Sequence, residues 1–463
     1  MSAYNPFDKE LDVLEAADLG ALRSVSEGWY VEYKRELPSA SSIAKSVSAF
    51  ANTYGGWIFY GISESSREDA TAGGFVGIER QFVDTANQRI RQAVANGMNP
   101  AAHFEIRAIW GPSVEIGLRE DRAIVCVQVP WSPNAPHVHR SGHIYRRVAD
   151  GSEPRPEHDR FVLDQLFRRS EGVRKDVKNW VKRDPEFSQG ESERPYLRLL
   201  LGVDLWGDRG AWCSIDGAQI EEILRRSSGT IGAIPFDTVY TTAGGFVGRQ
   251  VVGNDPHSLT LTWKFRRRLI SDIFIPLNVF GPSHPSSLTG ALAGYQFAGR
   301  FAEILQRQGH RNPKVTDLNY LFNTLSAIVE VNRSLLAASG WTDSFFAKAR
   351  LLNVWRTVPF IDDAQVLDRF DLMGTPMCLE SKVTAPPGWD PESFAEVRTF
   401  EEAPNESARI LLQAWSIFDP IAQAYGIPSW IDNPDTDRLY LQDLQAAGHR
   451  AMEAQRLRNE SSR

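Results

Sequence analysis

Cysteine is scarce in this chain. Its 463 residues include three, Cys126, Cys213 and Cys378, far apart and without a C-x-x-C pair. A disulfide framework and a zinc ribbon are therefore not expected, and thiols kept reduced are the simpler reading. Long apolar runs are missing too. No stretch reaches the roughly 18 apolar residues that a membrane helix needs, so no membrane contact is expected. Residues 1–20 are acidic and lack the apolar centre of a secretory signal, which points to a cytoplasmic protein. Positive charge is in deficit: 51 Lys and Arg stand against 58 Asp and Glu, for a net charge of −7 and a pI near 5.8. Proteins that only coat nucleic acid are usually basic, so any such contact here must be a local patch. There is no G-x-x-x-x-G-K-[ST] loop, so no ATP site of the Walker type is expected.

What is present describes a well-filled globular chain. Hydrophobic residues make up 42% and aromatics 11%, with 13 Trp, which argues against disorder. A single core stops growing near ~250–300 residues, so two or three domains are expected. In Trp29–Lys34 the side chains of Trp29, Val31 and Tyr33 alternate with Tyr30, Glu32 and Lys34. This predicts a half-buried strand with a charged outer face. A serine turn at 39–42 opens a helix with Ile43, Val47 and Phe50 on one face, with Ser41 or Ser42 as N-cap. Gly55-Gly56 ends that helix, and the apolar run Trp57–Ile62 predicts a central strand covered on both faces.

Further on, a helix is expected at 84–95, strands at 104–110, 114–118, 123–129 and 143–148, and a closing helix at 161–169. The polar stretch 183–195 reads as a linker. After it, strands at 196–205 and 258–280 flank a helix at 219–226. From 288 onward the pattern reads as mostly helical, at 292–308, 317–337 and 406–424, with a polar helix at 438–458. The expected class is α+β: an N-terminal domain over 1–182, the linker, and a C-terminal region over 196–463 with a possible split near 285.

Several segments in order resemble the Schlafen AlbA-like family. Glu27-Gly28-Trp29-Tyr30-Val31-Glu32-Tyr33-Lys34 is similar to the opening signature of Glu, four residues, Glu, an aromatic and Lys. Ser48-Ala49-Phe50-Ala51-Asn52-Thr53-Tyr54-Gly55-Gly56 is close to the most recognisable stretch. It is followed by an apolar strand, Gly61-Ile62-Ser63-Glu64, then Gly74–Ile78, and finally the Tyr-x-Arg of Gly142–Val148. Any one piece alone is weak; together they cover about the first third of the chain. Glu64 stands where Asp is commoner, and Tyr33 where Phe is frequent.

The resemblance implies a nucleic-acid-binding α+β domain. In Schlafen-type ribonucleases the two glutamates and the later acidic residue form a metal-dependent active site, which maps here to Glu27, Glu32 and Glu64 beside Lys34. The chemistry is coherent, because Mg²⁺ or Mn²⁺ takes carboxylate oxygens together with water and substrate phosphate. A solvated strand face with a weak surface pair would use the same residues. Ser41 and Ser42 could offer helix N-terminal N–H groups to a phosphate, or simply cap. Tyr145 and Arg147 share a strand face and could stack and hold a phosphate, or be structural.

His137, His139 and His143 lie close in sequence, but without helical i,i+4 spacing or nearby cysteine they make a poor zinc site. The basic run Lys264–Arg268 reads as a solvated hairpin. The leading expectation is a metal-dependent endoribonuclease acting on tRNA or other structured RNA, with a defence or stress role by family analogy. RNA is the preferred partner and DNA the alternative. The alternative function is a non-catalytic DNA-binding regulator with a ligand-sensing C-terminal region, and a purely structural interaction protein is a third class. A homodimer would supply the second lobe that Schlafen-type ribonucleases use to clamp substrate.

Overall fold

The computed structural model describes residues 4–7, 9, 11–66, 70–148, 153–205, 217–226, 234, 236–266, 269–428, 444, 446–450 and 453. They divide into two compact units, one within Met1–Asp176 and one within Val177–Leu205 and Ala211–Arg463. The class is α+β, as expected. No helix among the described residues is long and apolar enough to cross a membrane. Cys126 and Cys378 are free and buried, while Cys213 lies outside the described residues.

The first unit is built on a five-stranded sheet. Its strands are β1 (Val31–Lys34), β2 (Gly56–Tyr60), β5 (Ile78–Glu79), β7 (Glu105–Trp110) and β8 (Arg122–Val129). Strand β1 runs parallel to β2, β2 antiparallel to β8, and β8 also pairs with β5 and β7. The short pairs are β3 (Ile62–Glu64) with β4 (Ala72–Phe75), β6 (Met98–Asn99) with β9 (Val138–His139), and β10 (Tyr145–Arg146) with β11 (Arg155–Pro156).

Helix α1 (Ala40–Asn52) and helix α2 (Arg80–Gly97) cover one face of the sheet, and α3 (Arg160–Lys182) follows the short strands. Trp57 and Phe59 of β2 join one core with Val31, Tyr33 and Leu22. Ile58 and Tyr60 join the other with Ile43, Val47 and Phe50 of α1. Strand β2 is therefore covered on both faces, as its unbroken apolar run predicted.

Several expectations need correction. The charged side of β1 is not an outer face: Glu32 is 2% exposed, because α1 lies over it. The cap of α1 is Ser39, whose backbone is extended and whose Oγ accepts the Ser42 N–H at 3.2 Å, rather than Ser41 or Ser42. Residues 114–118 form a turn bracketed by a Ser113–Leu118 bridge, with Gly117 at φ +70, and no strand. The strand expected at 143–148 shrinks to Tyr145–Arg146, and the closing helix extends to Lys182.

The second unit carries a larger sheet. Its elements run β12 (Tyr196–Gly202), α4 (Gly217–Arg225), β13 (Thr238–Thr242), β14 (Gly245–Arg249), β15 (Thr262–Arg266), β16 (Ile270–Pro276) and β17 (Val279–Phe280). Then come α5 (Pro285–Ala291), α6 (Ala298–Arg307), β18 (Lys314–Asp317), α7 (Leu318–Ala338), β19 (Phe345–Leu352), β20 (Thr357–Phe360), α8 (Ala364–Met373), β21 (Lys382–Ala385), β22 (Ala395–Val397) and α9 (Glu406–Ala424). The sheet order is β13-β14-β15-β16-β12-β19-β21, with β22 also on β19, and β17, β18 and β20 make a separate three-stranded sheet. The reading of a mostly helical region after 288 is thus corrected, since β19 completes the centre of the large sheet. Of the basic run at 264–268, Lys264–Arg266 lie in β15, and Arg267 and Arg268 fall outside the described residues, as does most of 438–458. Residues 183–195 carry no helix or strand, and Asp184 there pairs with Arg350 and Lys382.

Candidate functional site

Strand β1 and the turn before it bring the acidic residues of the opening signature together. Glu27 is buried, and its Oε1 accepts the Tyr33 N–H at 3.0 Å and lies 3.4 Å from Lys34 Nζ. Lys34 Nζ is also 3.2 Å from Glu32 Oε1 and donates to the Tyr33 carbonyl at 3.0 Å. Glu64, at the exposed end of β3, is close enough to Glu27 to push its carboxyl upward. The three glutamates and Lys34 therefore form one connected cluster. Burial is the main force on Glu27 and pushes its carboxyl up to about 7; Lys34 opposes this, while the Glu64 carboxyl and the Glu32 charge add to it. Burial draws Lys34 downward, but the charges of Glu32 and Glu27 outweigh it and its pKa is raised.

Glu32 is bound on both oxygens. Ser46 Oγ donates to Oε1 at 2.8 Å, and Arg147 Nη1 donates to Oε2 at 2.9 Å. Arg147 is fully buried, with Nε and Nη2 on the Gly28 carbonyl and its guanidinium 4.7 Å from the centre of the Phe50 ring. The expected phosphate contact by Arg147 is thus corrected: its guanidinium is already taken up by Glu32, the Gly28 carbonyl and the Phe50 ring, so no donor is directed at a ligand. Burial lowers its pKa, against the pull of Glu32 and Glu27.

The Asn-Thr of the second signature explains how Arg147 arrives there. Buried Asn52 donates to the His137 and Tyr145 carbonyls, both at 3.0 Å, and its Oδ1 accepts the His137 N–H at 2.7 Å. Thr53 Oγ1 accepts the Arg147 N–H at 3.0 Å. The two side chains fasten residues 137–147 to the end of α1. Gly55 allows the next step of the chain: at φ +76 it sits where a Cβ would be 2.7 Å from the Val129 carbonyl oxygen.

Ser41 of α1 and Tyr145 of β10 belong to a second group. Ser41 Oγ lies 3.3 Å from His139 Nε2, the His139 ring meets Tyr145 edge-on at 5.4 Å, and Lys45 Nζ lies 5.2 Å from the Tyr145 ring centre. The Ser42 N–H is already taken by Ser39, so it is not offered to an anion. His137 is held by the Pro100 carbonyl and Ser132 Oγ, each at 2.8 Å. Among the described residues no group of three or more His, Cys, Asp or Glu could hold a metal ion.

The sequence reading missed Ser46, Asn52 and Thr53. Ser46 did carry a signal: three residues after Ile43 and four before Phe50, it is a polar residue inside the apolar stripe of α1.

Residues 27–156 match the Schlafen, AlbA_2 family. The AlbA_2 segment takes in Glu27, Glu32, Lys34, Ser41, Ser42, Glu64, Tyr145 and Arg147, and the match supports a nucleic-acid-binding role for the N-terminal third of the chain. No curated protein matches the chain. Among solved structures, the crystal structure of the DIP2311 protein from Corynebacterium diphtheriae is 13% identical over 42% of this chain and 29% of that one, with a TM-score of 0.19. The chain spans less than a third of that protein's length. A likeness that slight bears on neither fold nor function.

Proposed function

We propose that the AlbA_2 segment binds RNA and cleaves it at the Glu27–Glu64 pair with the help of Mg²⁺ or Mn²⁺. The observation that carries this is a pair of carboxyl groups, Glu27 and Glu64, close enough for Glu64 to push the Glu27 carboxyl upward, beside a lysine and at an exposed strand end. Two carboxylates this close repel unless a proton or a cation lies between them. Magnesium is commonly bound by one or two carboxylates, with substrate phosphate and water completing its shell. Glu27 and Glu64 fit that role. Glu32 does not, because Arg147, Ser46 and Lys34 already occupy its oxygens, so the expected three-carboxylate ligand set becomes two ligands and one positioning residue.

A cation bound there would polarise a phosphate oxygen and activate water. The rest belongs to the chain. Lys34, held between Glu27 and Glu32, offers a fixed positive charge to the phosphodiester. Glu32 keeps Lys34 in place and is itself kept in place by Arg147 and Ser46. Structured RNA such as tRNA is the proposed substrate class, and a homodimer the proposed assembly. One observation favours the second reading, a DNA-binding regulator without catalysis: Glu32 is as well satisfied as a purely structural carboxylate.

Both readings are separated by assaying RNA cleavage with and without EDTA for the wild type, Glu27→Gln and Glu64→Gln. Cleavage that needs the cation and both carboxylates, with RNA binding retained in each variant, is expected. Tight, specific DNA binding without cleavage of any RNA would favour the regulator.

A further inference from the structure

Four aromatic rings gather at the N-terminal ends of β1 and β2. Tyr4 and Tyr30 stack with centroids 4.7 Å apart and planes 19° from parallel. Tyr54 lies 6.2 Å from Tyr30 and 5.6 Å from Trp29. Tyr54 is 48% exposed, and Trp29 and Tyr30 are half-buried. A fifth ring, Trp131, is 41% exposed and follows β8. Its loop reaches the aromatic group through Gly55, where a Cβ would stand 2.7 Å from the Trp131 backbone nitrogen. Arg169 of α3 lies over the Trp131 ring at 5.1 Å and is electrostatically coupled to Tyr54.

Two features of this surface point to a ligand. Large aromatic side chains are normally turned inward, and Tyr54 and Trp131, exposed beside half-buried Trp29 and Tyr30, mark a candidate binding surface. Arg169 also lacks a counter-ion. Its hydrogen-bond partner is the Asn52 carbonyl at 3.2 Å, and no carboxylate pairs with it among the described residues. Burial, and then the charge of nearby Arg146, push its pKa down to about 10. Arg146 itself is neutralised by Glu157 at 2.7 Å. The surface thus combines ring faces with a half-buried cation in want of an anion.

We infer that Trp29, Tyr54, Trp131 and Arg169 form a binding surface for unpaired nucleotides, with bases stacked on the rings and a phosphate at Arg169. Every base has a π-face, and stacking on Trp or Tyr needs that face uncovered, which a duplex does not provide. This rests on the nucleic-acid-binding role of the same segment and gives it a substrate class: single strands, loops and bulges. Trp29 is two residues from Glu27, about 7 Å of extended chain at most. A strand stacked there is within reach of the carboxylates.

The test is fluorescence anisotropy with the full chain, in EDTA so that nothing is cleaved. The probes are a short labelled single-stranded RNA and the same sequence as a duplex. The single strand should bind more tightly, with quenching of Trp fluorescence. Tyr54→Ala and Trp131→Ala should each weaken binding roughly 5- to 150-fold, the range for loss of one stacked base. Tyr54→Phe should bind as the wild type does. Tyr54→Leu, which keeps apolar bulk for folding but has no aromatic face, should behave as the Ala variant. Arg169→Gln should flatten the salt dependence by about 0.7 in logarithmic slope.

If the wild type binds but these variants match it, or if the duplex binds equally well, the stacking surface is wrong while the nucleic-acid role stands. If the wild type binds neither RNA nor DNA, both fall. If the variants abolish a dimer in light scattering without touching RNA affinity, the surface belongs to a second copy of the chain instead.

Discussion

At the residue scale, Arg147 separates a structural reading from a surface one. A phosphate-binding arginine would be exposed, and its removal would leave folding nearly untouched. Here the guanidinium is buried against Glu32, Gly28 and Phe50. Breaking a buried pair by removing one partner strands the other charge, at a cost of ~3–5 kcal/mol. Arg147→Met should therefore lower the urea midpoint of the first unit sharply. An unchanged midpoint with selectively weaker RNA binding would restore Arg147 to the surface role.

Lys348 in the second unit gives a pH-dependent counterpart. It is 1% exposed, with Nζ donating to the Ser393 carbonyl at 2.7 Å and to Ser393 Oγ at 2.6 Å. Burial pushes its pKa down to about 8, against a weaker pull from Asp390. A folded pKa below the unfolded value near 10.5 means that folding penalises the charged form. The penalty is full below pH 8 and is lifted as pH rises toward 10.5, so this group makes the unit more stable over that window. Thermal melts of the wild type and Lys348→Met should converge or cross across it, the wild type gaining relative to the variant. Parallel melting curves would show that Lys348 does not titrate there.

At the element scale, helix α1 organises the first unit. It is capped at one end by Ser39, faces Glu32 with Ser46 in its middle, and anchors residues 137–147 with Asn52 and Thr53 at its far end. Ser39→Ala should cost about 1 kcal/mol of stability, the usual value for a lost cap, and Ser42→Ala much less. Equal losses would mean that the cap is shared.

The helix, the buried strand β2 and the glycine turn between them were legible because each has a strong local pattern: one apolar face, an unbroken apolar run and two glycines at positive φ. Strand β19 was not. Its sequence, Phe345–Leu352, alternates Ala347, Ala349 and Leu351 toward the core with Lys348 and Arg350 on the other side. Charged residues there read as a solvated face or a helix. Only the fold supplies what covers them, namely Trp389 over Arg350, Phe394 over Lys348, and the Val181 carbonyl and Asp184 carboxylate as Arg350 partners. Glu32 and Arg147 were misplaced for the same reason. Alternation gives the side of a strand a residue takes, but not whether another element lies on that side.

At the scale of the whole molecule, an acidic chain carries a locally organised site in its first unit and a larger sheet-and-helix unit after it. Residue types and order were enough to bring Glu27, Glu32, Glu64 and Lys34 together on the page. The division of labour among them depends on contacts from Ser46 and Arg147 that no local pattern contains. The proposed dimer is checked by light scattering at micromolar concentration, where a strict monomer with full RNA affinity would exclude it.

The central claim concerns the Glu27–Glu64 pair, and the most direct measurement is Mn²⁺-dependent cleavage of a structured RNA by the wild type and Glu64→Gln, with binding followed in parallel. Cleavage by the wild type that EDTA abolishes is expected, with none by Glu64→Gln, and RNA affinity in the variant equal to or above that of the wild type, because a repelling charge has gone. Cleavage that persists in EDTA and in Glu64→Gln would contradict it.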